Sequence, residues 1–190
     1  MGRNKTKSDA ELLEAARRVF LEKGFRASTK EIAQRAGVSE GVMFQRFTTK
    51  EDLFFAAMTP PSADLHQLLH HPRLSGRALI EKIVLSMIDY FRSTLPVLIA
   101  LMSHPSFRFE EFAASHPDSP MVTLRRGLVE LIVREQLAGR IGAVDPGAAA
   151  LLLWSTAQTV AFAEQLGAHG GRFDPKIISA AVQCLWDGLG

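Results

Sequence analysis

Residues 28–50 have the sequence STKEIAQRAGVSEGVMFQRFTTK. Two short segments lie on either side of Gly37, and each begins after a serine, Ser28 or Ser39. Serine is a preferred N-cap residue, and glycine accepts the left-handed conformation that ends many helices. Glu31, three residues after Ser28, predicts a capping box for the first segment. The pattern therefore predicts two helices joined by a tight turn, as in a helix-turn-helix.

The same cap signals occur on both sides of this stretch. Ser8 with Glu11 predicts a helix over residues 9–23, and Thr49 with Asp52 predicts another that starts at residue 50. A glycine ends the first of these helices, and a proline pair closes the second. We expect a compact unit of three to four helices that ends near residue 59.

The remaining chain lacks the alternating pattern and hairpin turns of β-strands. Helices are predicted over residues 62–70, 76–94, 96–104, 106–115, 121–139, 146–167 and 175–189. The prediction is an all-α fold with two domains. Residues 1–59 form the first, with its helix-turn-helix at 29–48, and residues 60–190 form a larger helical domain.

The charge of the chain is distributed unevenly. Residues 1–50 contain 11 Lys and Arg and 6 Asp and Glu, a net charge of +5, whereas the remaining 140 residues have a net charge of −3. A basic N-terminal segment suits a nucleic-acid partner, although an ordinary solvated surface is the alternative. The single cysteine, Cys184, excludes an intrachain disulfide. With no signal peptide and no apolar run of about 20 residues, we expect a cytoplasmic protein without a membrane segment.

A family resemblance rests on three pieces of sequence. These are AARRVFLEKGF at residues 15–25, STKEIAQRAGVSEG at residues 28–41, and the FxxK pattern from Phe47 to Lys50. Their order and spacing over residues 9–58 resemble the DNA-binding domain of the TetR family of bacterial transcription regulators. The resemblance implies a homodimer that binds a palindromic double-stranded DNA operator. It also implies a C-terminal domain that dimerises through its last two long helices and binds a small-molecule effector, whose binding releases the operator, as in a repressor.

Nine residues of the motif are candidates for DNA contact. They are Thr29, Lys30, Ser39, Gly41, Val42, Phe44, Gln45, Arg46 and Lys50. Lys50 looks like the family's phosphate-contacting lysine, and the helix N-termini with Thr29 and Ser39 suit phosphate as well. Gln45 can pair with adenine and Arg46 with guanine. The alternatives are simple helix capping for the hydroxyls and solvated charges for the cations.

Two positions depart from the family pattern. Phe44 stands where the family usually has Tyr, and Val42 where it often has Thr, so two hydroxyl groups are missing. Phe44 can still contact a sugar or a thymine methyl group. The segment with Arg3, Lys5 and Lys7 is either a flexible arm that follows the DNA or a disordered tail.

Apolar and aromatic residues of the larger domain are candidates for an effector pocket. They are Met87, Tyr90, Phe91, Met102, His104, Phe112, Trp154, Gln158 and Phe162. For each residue taken alone, an ordinary core position is the alternative. Tyr90, His104 and Gln158 bring polar groups onto apolar helices, and the sparse charge favours an apolar or weakly polar ligand.

Other functional classes have little support. The chain has no Gly-rich phosphate loop, no HExxH and no GxSxG, so we predict no enzymatic activity and no cofactor. His66 and His70 have a spacing that could hold a metal on one helix face, but Asp64 is their only acidic neighbour, and we predict no metal site. A helical ligand-binding or interaction protein that has lost sequence-specific DNA binding is the alternative function.

Overall fold

The computed structural model describes residues 7–59, 69, 74–115, 120–168 and 170–189. This part of the chain forms α-helices and contains no β-strand, so the predicted all-α fold is confirmed. The helices are α1 (Asp9–Lys23), α2 (Thr29–Ala36), α3 (Glu40–Arg46), α4 (Lys50–Ala57), α5 (Gly76–Met102), α6 (Phe109–Ser115), α7 (Pro120–Leu137), α8 (Pro146–Gln165) and α9 (Pro175–Leu189).

The chain divides into two compact units. The first combines Met1–Pro60 with Pro96–Phe109, and the second combines Pro61–Leu95 with Glu110–Gly190. The first unit contains α1 to α4, and its α1 packs against both α2 and α4. Buried apolar residues at helical spacing on α1 form the centre of this packing: Leu12, Ala16, Val19 and Phe20.

Two of the predicted capping boxes are present. Ser8 Oγ accepts from Glu11 N at 3.2 Å, and a carboxylate oxygen of Glu11 accepts from Ser8 N at 2.9 Å. The Ser8 N–H, and then the Lys7 ammonium, lower the pKa of Glu11 to about 2. Thr49 and Asp52 form the same reciprocal pair, with both hydrogen bonds at 2.9 Å. The first turns of α1 and α4 are therefore stabilised by hydrogen bonds between residues only three positions apart.

The third predicted box, Ser28 with Glu31, is wrong. Ser28 is the N-cap residue of α2, but its side chain makes no capping hydrogen bond. The Glu31 carboxylate instead accepts from Lys23 Nζ at 2.7 and 2.8 Å. A cation from the end of α1 thus draws the carboxylate away from the start of α2.

The second unit has one continuous hydrophobic core. In it α7 packs against α8, and α8 against α9. Two buried carboxylates connect distant parts of the sequence. Glu164 makes a bidentate pair with Arg92 at 2.7 and 2.8 Å, and Glu135 accepts from Gly76 N at 2.7 Å and from Arg140 at 2.7 and 2.9 Å.

Helix α5 differs from the prediction, which ended one helix at residue 94 and began another at Pro96. Pro96 lies inside a single helix. Leu95 and Val97, on either side of it, are buried. Burial along the helix outweighs the penalty of about 3 kcal/mol for an internal proline. The next helix was predicted from residue 106 and begins later, at Phe109.

Among the described residues, α5 is the one helix long and apolar enough to cross a membrane. Half of its most apolar stretch is buried inside the protein, and the core helix of a globular domain has the same length and composition. The longest apolar run of the sequence, residues 148–163, lies within α8.

Candidate nucleic-acid interface

The turn between α2 and α3 is closed by Gly37. Its φ of 71° and ψ of 31° lie in the left-handed region, which glycine adopts without steric cost. Val38 N donates to Ala33 O at 3.0 Å and Gly37 N to Gln34 O at 3.1 Å, the two hydrogen bonds of a Schellman motif. Because Met43 of α3 is fully buried, the helix can turn only one face to solvent.

The N-termini of α2 and α3 are joined by a side-chain hydrogen bond. Thr29 Oγ1 donates to a carboxylate oxygen of Glu40 at 2.6 Å. Ser39 caps α3 as predicted, since its Oγ accepts from Val42 N at 3.2 Å. Glu40 is therefore engaged inside the helix-turn-helix, and Thr29 and Ser39 both serve as structural hydrogen-bonding residues there.

The guanidinium of Arg46 is also engaged. It donates to the carbonyl oxygen of Lys7 at 2.7 Å and to Asp9 Oδ1 at 3.0 Å, and its side chain is only 21% exposed. The end of α3 is thereby attached to the start of α1. In this structure the Arg46 guanidinium contacts the start of α1, and the base-reading role that its residue type predicts stays a prediction.

Lys50 lies at the edge of an aromatic cluster. Its Nζ is 4.7 Å from the centre of the Phe25 ring. Phe25 contacts Phe54 and His104 edge-on, with ring centroids 5.3 and 4.2 Å apart, and His104 stacks on Phe54 at 5.1 Å. The cluster therefore positions the Lys50 side chain near the first turn of α4. The Lys50 ammonium makes a cation–π contact with Phe25, which water or phosphate can replace.

Four neighbouring residues of α3 have no such internal engagement. Val42 and Phe44 are 36% and 38% exposed, and Gln45 is exposed as well. A Cβ atom added at Gly41 would meet only Ser39 Oγ, at 3.9 Å, so internal packing does not require glycine there. Lys30 on α2 is exposed too. The solvent side of the motif is thus a mixture of apolar groups, an amide and one lysine.

The candidates for an effector pocket are only partly brought together. Phe91 meets Trp154 edge-on at 5.1 Å, and Trp154 Nε1 donates to Gln158 Oε1 at 3.2 Å. Tyr90 adjoins Phe91 at 5.7 Å, and burial raises the pKa of its hydroxyl.

The remaining pocket candidates have different surroundings. Met87 is fully buried in the same core of the second unit, Phe112 is half-buried, and Phe162 is 44% exposed. Met102 and His104 belong to the first unit. Met102 is 63% exposed there, and His104 belongs to the aromatic cluster. Sequence reasoning grouped these two with the pocket because Met side chains form adaptable apolar walls and His104 brings a polar group onto an apolar helix.

Several residues with a role at the interface were missed. Asp9 was treated as part of a helix start, and Phe25 as part of a family motif, yet they hold Arg46 and Lys50 respectively. No sequence signal could have found the Asp9–Arg46 pair, since 37 residues separate its members.

Some predictions lie outside the described residues. They concern His66 and His70, the helix over residues 62–70, and Arg3 and Lys5 of the N-terminal segment. Within the described ranges, no group of three or more His, Cys, Asp or Glu side chains could hold a metal ion.

Residues 12–57 match the family model described as "Bacterial regulatory proteins, tetR family". The matched range contains all of α2, the turn, α3 and α4, which carry the geometry described above. Over these residues the chain matches the TetR family. The family assignment that the sequence motifs suggested is thereby confirmed.

Two curated relatives, both described as HTH-type regulators, match part of the chain. The HTH-type transcriptional repressor AcnR of Corynebacterium diphtheriae is 30% identical over 105 residues, which cover 52% of this chain and 52% of that protein. The chain therefore spans about half the length of this relative. The HTH-type transcriptional activator FasR of Mycolicibacterium smegmatis is 45% identical over 49 residues, 25% of this chain and 22% of that protein.

A solved structure extends the likeness to the whole fold. A TetR/AcrR-family transcriptional regulator from Thermobifida fusca superposes with a TM-score of 0.68 at 20% identity, over 95% of this chain and 98% of that chain. At this identity the likeness concerns the fold alone. It agrees with an N-terminal helix-turn-helix followed by a larger helical part.

Proposed function

We propose that this TetR-family chain is a DNA-binding transcriptional regulator, with residues 1–59 as its DNA-binding domain and residues 60–190 as its effector-binding and dimerisation domain. The observation that carries the proposal is the α2–turn–α3 unit, whose buried side is anchored by Met43 and whose other side is exposed. A helix-turn-helix places such an exposed second helix in the major groove. Binding to bacterial chromosomal DNA requires a cytoplasmic protein.

The residues of the motif divide into two roles. Lys30 and Lys50, with the hydroxyls of Thr29 and Ser39, contact phosphate and set the register on the duplex. Gly41, Val42, Phe44 and Gln45 face the base edges. Support for the phosphate role of Lys50 comes from its place at the first turn of α4, where its Nζ contacts the Phe25 ring and, among the described residues, no ion pair engages it.

A homodimer is proposed through α8 and α9. Exposed residues of α8 recur at helical spacing along one face: Ala148, Leu151, Leu152, Ser155, Thr159 and Phe162. On α9, Ile177, Ala180 and Cys184 are exposed with the same periodicity. Leu151, Leu152 and Ile177 are at least half exposed, which is unusual for large apolar side chains and suits a second copy of the chain. Two-fold symmetry implies a palindromic operator.

A small apolar or weakly polar effector is proposed to bind among Met87, Tyr90, Phe91, Trp154 and Gln158. Aromatic and Met side chains form adaptable apolar walls, and the Gln158 amide and the Tyr90 hydroxyl can orient a ligand. Binding of the effector would release the operator, so the protein would act as a repressor. A panel of apolar compounds should raise the melting temperature and weaken DNA binding. If no compound does either, the effector proposal is wrong.

The test of DNA binding is a selection of genomic fragments on the purified dimer at low salt, followed by measurement of Kd by fluorescence anisotropy. We expect fragments that share a palindrome with half-sites centred about one helical turn apart. If the protein retains no fragment above background even at low salt, the chain is a helical ligand-binding or interaction protein instead.

A further inference from the structure

The charged residues at both ends of α3 have partners within the first unit. Glu40, the first residue, accepts from Thr29 Oγ1 at 2.6 Å. Arg46, the last residue, donates to Asp9 and to the Lys7 carbonyl. These are the side chains of α3 that could pair with cytosine and guanine, since a carboxylate accepts from the cytosine amino group and a guanidinium donates to guanine O6 and N7. In the arrangement that the structure has, both side chains are therefore engaged by residues of the first unit rather than presented freely to solvent.

The other exposed residues of α3 form a small surface that is mainly apolar. Val42 and Phe44 present carbon atoms, and Gln45 presents one amide. Gly41 lies three and four residues before Phe44 and Gln45, so it adjoins both on the helix surface. Nothing but Ser39 Oγ lies within 4 Å of a Cβ built at Gly41, which leaves room for close approach of another molecule to the backbone.

The chemistry of this surface corresponds to one kind of base pair. In the major groove an A·T pair presents the thymine C5-methyl group, which apolar side chains contact, and adenine N6 and N7, which an amide bonds in bidentate fashion. A G·C pair presents three polar groups and no methyl group, so Val42 and Phe44 would desolvate them without offering a hydrogen bond.

We infer that α3 recognises A·T base pairs in the operator half-site, with Val42 and Phe44 on thymine methyl groups and Gln45 on adenine. The inference rests on the proposed DNA-binding function and adds the chemical identity of the half-site. It also assigns Arg46 and Asp9 a positioning role, because their pairing removes the guanine-reading group from the surface of α3.

The experiment replaces thymine by deoxyuracil, one position at a time, in an operator obtained by the selection described above. The replacement removes a single methyl group and leaves every hydrogen-bonding group of the base pair in place. The Kd of the full-length dimer should rise about three- to fivefold at each contacted thymine, from the loss of one buried methyl contact. The same operators are then measured with Phe44→Ala, Val42→Ala and, as a control, Leu21→Ala, which removes an exposed apolar side chain of α1.

The expected result is that Phe44→Ala and Val42→Ala each lose the sensitivity to deoxyuracil at a different thymine, whereas Leu21→Ala retains it at all positions. Thermal unfolding of each variant verifies that the first unit is folded. If Phe44→Ala does not fold, Phe44→Leu replaces it.

Two other outcomes have separate meanings. If operators are bound but deoxyuracil changes the Kd nowhere in the half-site, or if the selected half-sites consist of G·C pairs, the inference is overturned and the proposed function stands. If no DNA is bound at low salt, the proposed function fails and the inference fails with it.

Discussion

Helices α3 and α8 both expose large apolar side chains, but they differ in length and in what holds them. The seven residues of α3 expose Val42 and Phe44 between charged ends, whereas the 20 residues of α8 expose Leu151, Leu152 and Phe162 along most of its length. Large contiguous apolar patches on a protein surface mark interaction sites with other proteins, and the face of α8 offers the longer apolar surface of the two. The comparison suggests that the exposed face of α3 meets DNA and that of α8 meets a second subunit.

The ion pairs that hold the two helices differ as well. Arg46 of α3 pairs with Asp9, whose side chain is 69% exposed. Glu164 of α8 pairs with Arg92 while its own side chain is only 6% exposed, and it also accepts from Phe173 N at 2.9 Å. A pair whose carboxylate is largely solvated contributes little to stability, whereas a buried pair is costly to break.

The largest effect is expected on the face of α8. Replacing Leu151 and Leu152 together by Asp should raise the dimer dissociation constant at least 100-fold, because two central apolar side chains are replaced by charges that repel across the two-fold axis. Analytical ultracentrifugation over a range of concentrations measures this change. Leu137→Asp is the matched control, since Leu137 is 86% exposed on α7. If the double variant dimerises like the native protein, α8 is not the interface.

A smaller effect is expected at the attachment of α8. Glu164→Gln should lower the free energy of unfolding by about 2 kcal/mol, because the charge that pairs with Arg92 in a mostly buried site is lost. The Arg92 guanidinium, and then the Phe173 N–H, lower the pKa of Glu164 from its ordinary 4.5. The carboxylate therefore stabilises the fold above pH 4.5, and this contribution is lost as the pH falls through the lowered pKa of the folded state.

Urea unfolding of Glu164→Gln at a series of pH values measures both effects. The difference from the native protein should be largest at neutral pH and should shrink below pH 4.5. Glu130→Gln, at an exposed position of α7, is the control and should change little at any pH. A difference that is constant with pH would mean that the charge of Glu164 does not stabilise α8.

The next effect concerns phosphate contact beside α3. Lys50→Ala should weaken binding of all DNA sequences by a similar factor, roughly tenfold at low salt, and lower the slope of log K against log salt by about 1. Lys82→Ala, at an exposed position of α5 in the second unit, should leave both quantities unchanged. If Lys50→Ala instead altered the preferred sequence, Lys50 would contact bases and the roles assigned here would be wrong.

The smallest effect on stability is expected at the exposed pair of α3. Asp9→Asn should cost no more than about 0.5 kcal/mol, since the pair is largely solvated. It should nevertheless release Arg46, so that selection on this variant yields more guanine in the half-site than selection on the native protein. Asp89→Asn, which removes an exposed carboxylate of the second unit, should leave the selected sequences as they are. Unchanged selection with Asp9→Asn would mean that Asp9 does not restrain Arg46.

Local signals predicted helices α1 to α4 well. The bounds of α1 and α2 agree with the prediction, because serine caps and glycine stops act on backbone groups within about five residues. The start of α8 was predicted for the same reason, since Asp145 caps it and Pro146 occupies its first position. The capping box of Ser28 failed because Lys23, from another helix, competes for the Glu31 carboxylate.

The sequence by itself determined the all-α fold, the helix-turn-helix and most helix ends, since each depends on short-range hydrogen bonds and on the spacing of apolar residues. Only the tertiary structure decided that Arg46 is paired with Asp9, that Lys50 rests on Phe25, and that His104 belongs to the first unit. These contacts join residues far apart in the chain. The packing of the helices determines which charged side chains and which rings meet. The sequence specified which side chains are candidates for DNA contact, and packing decided which of them are engaged within the protein.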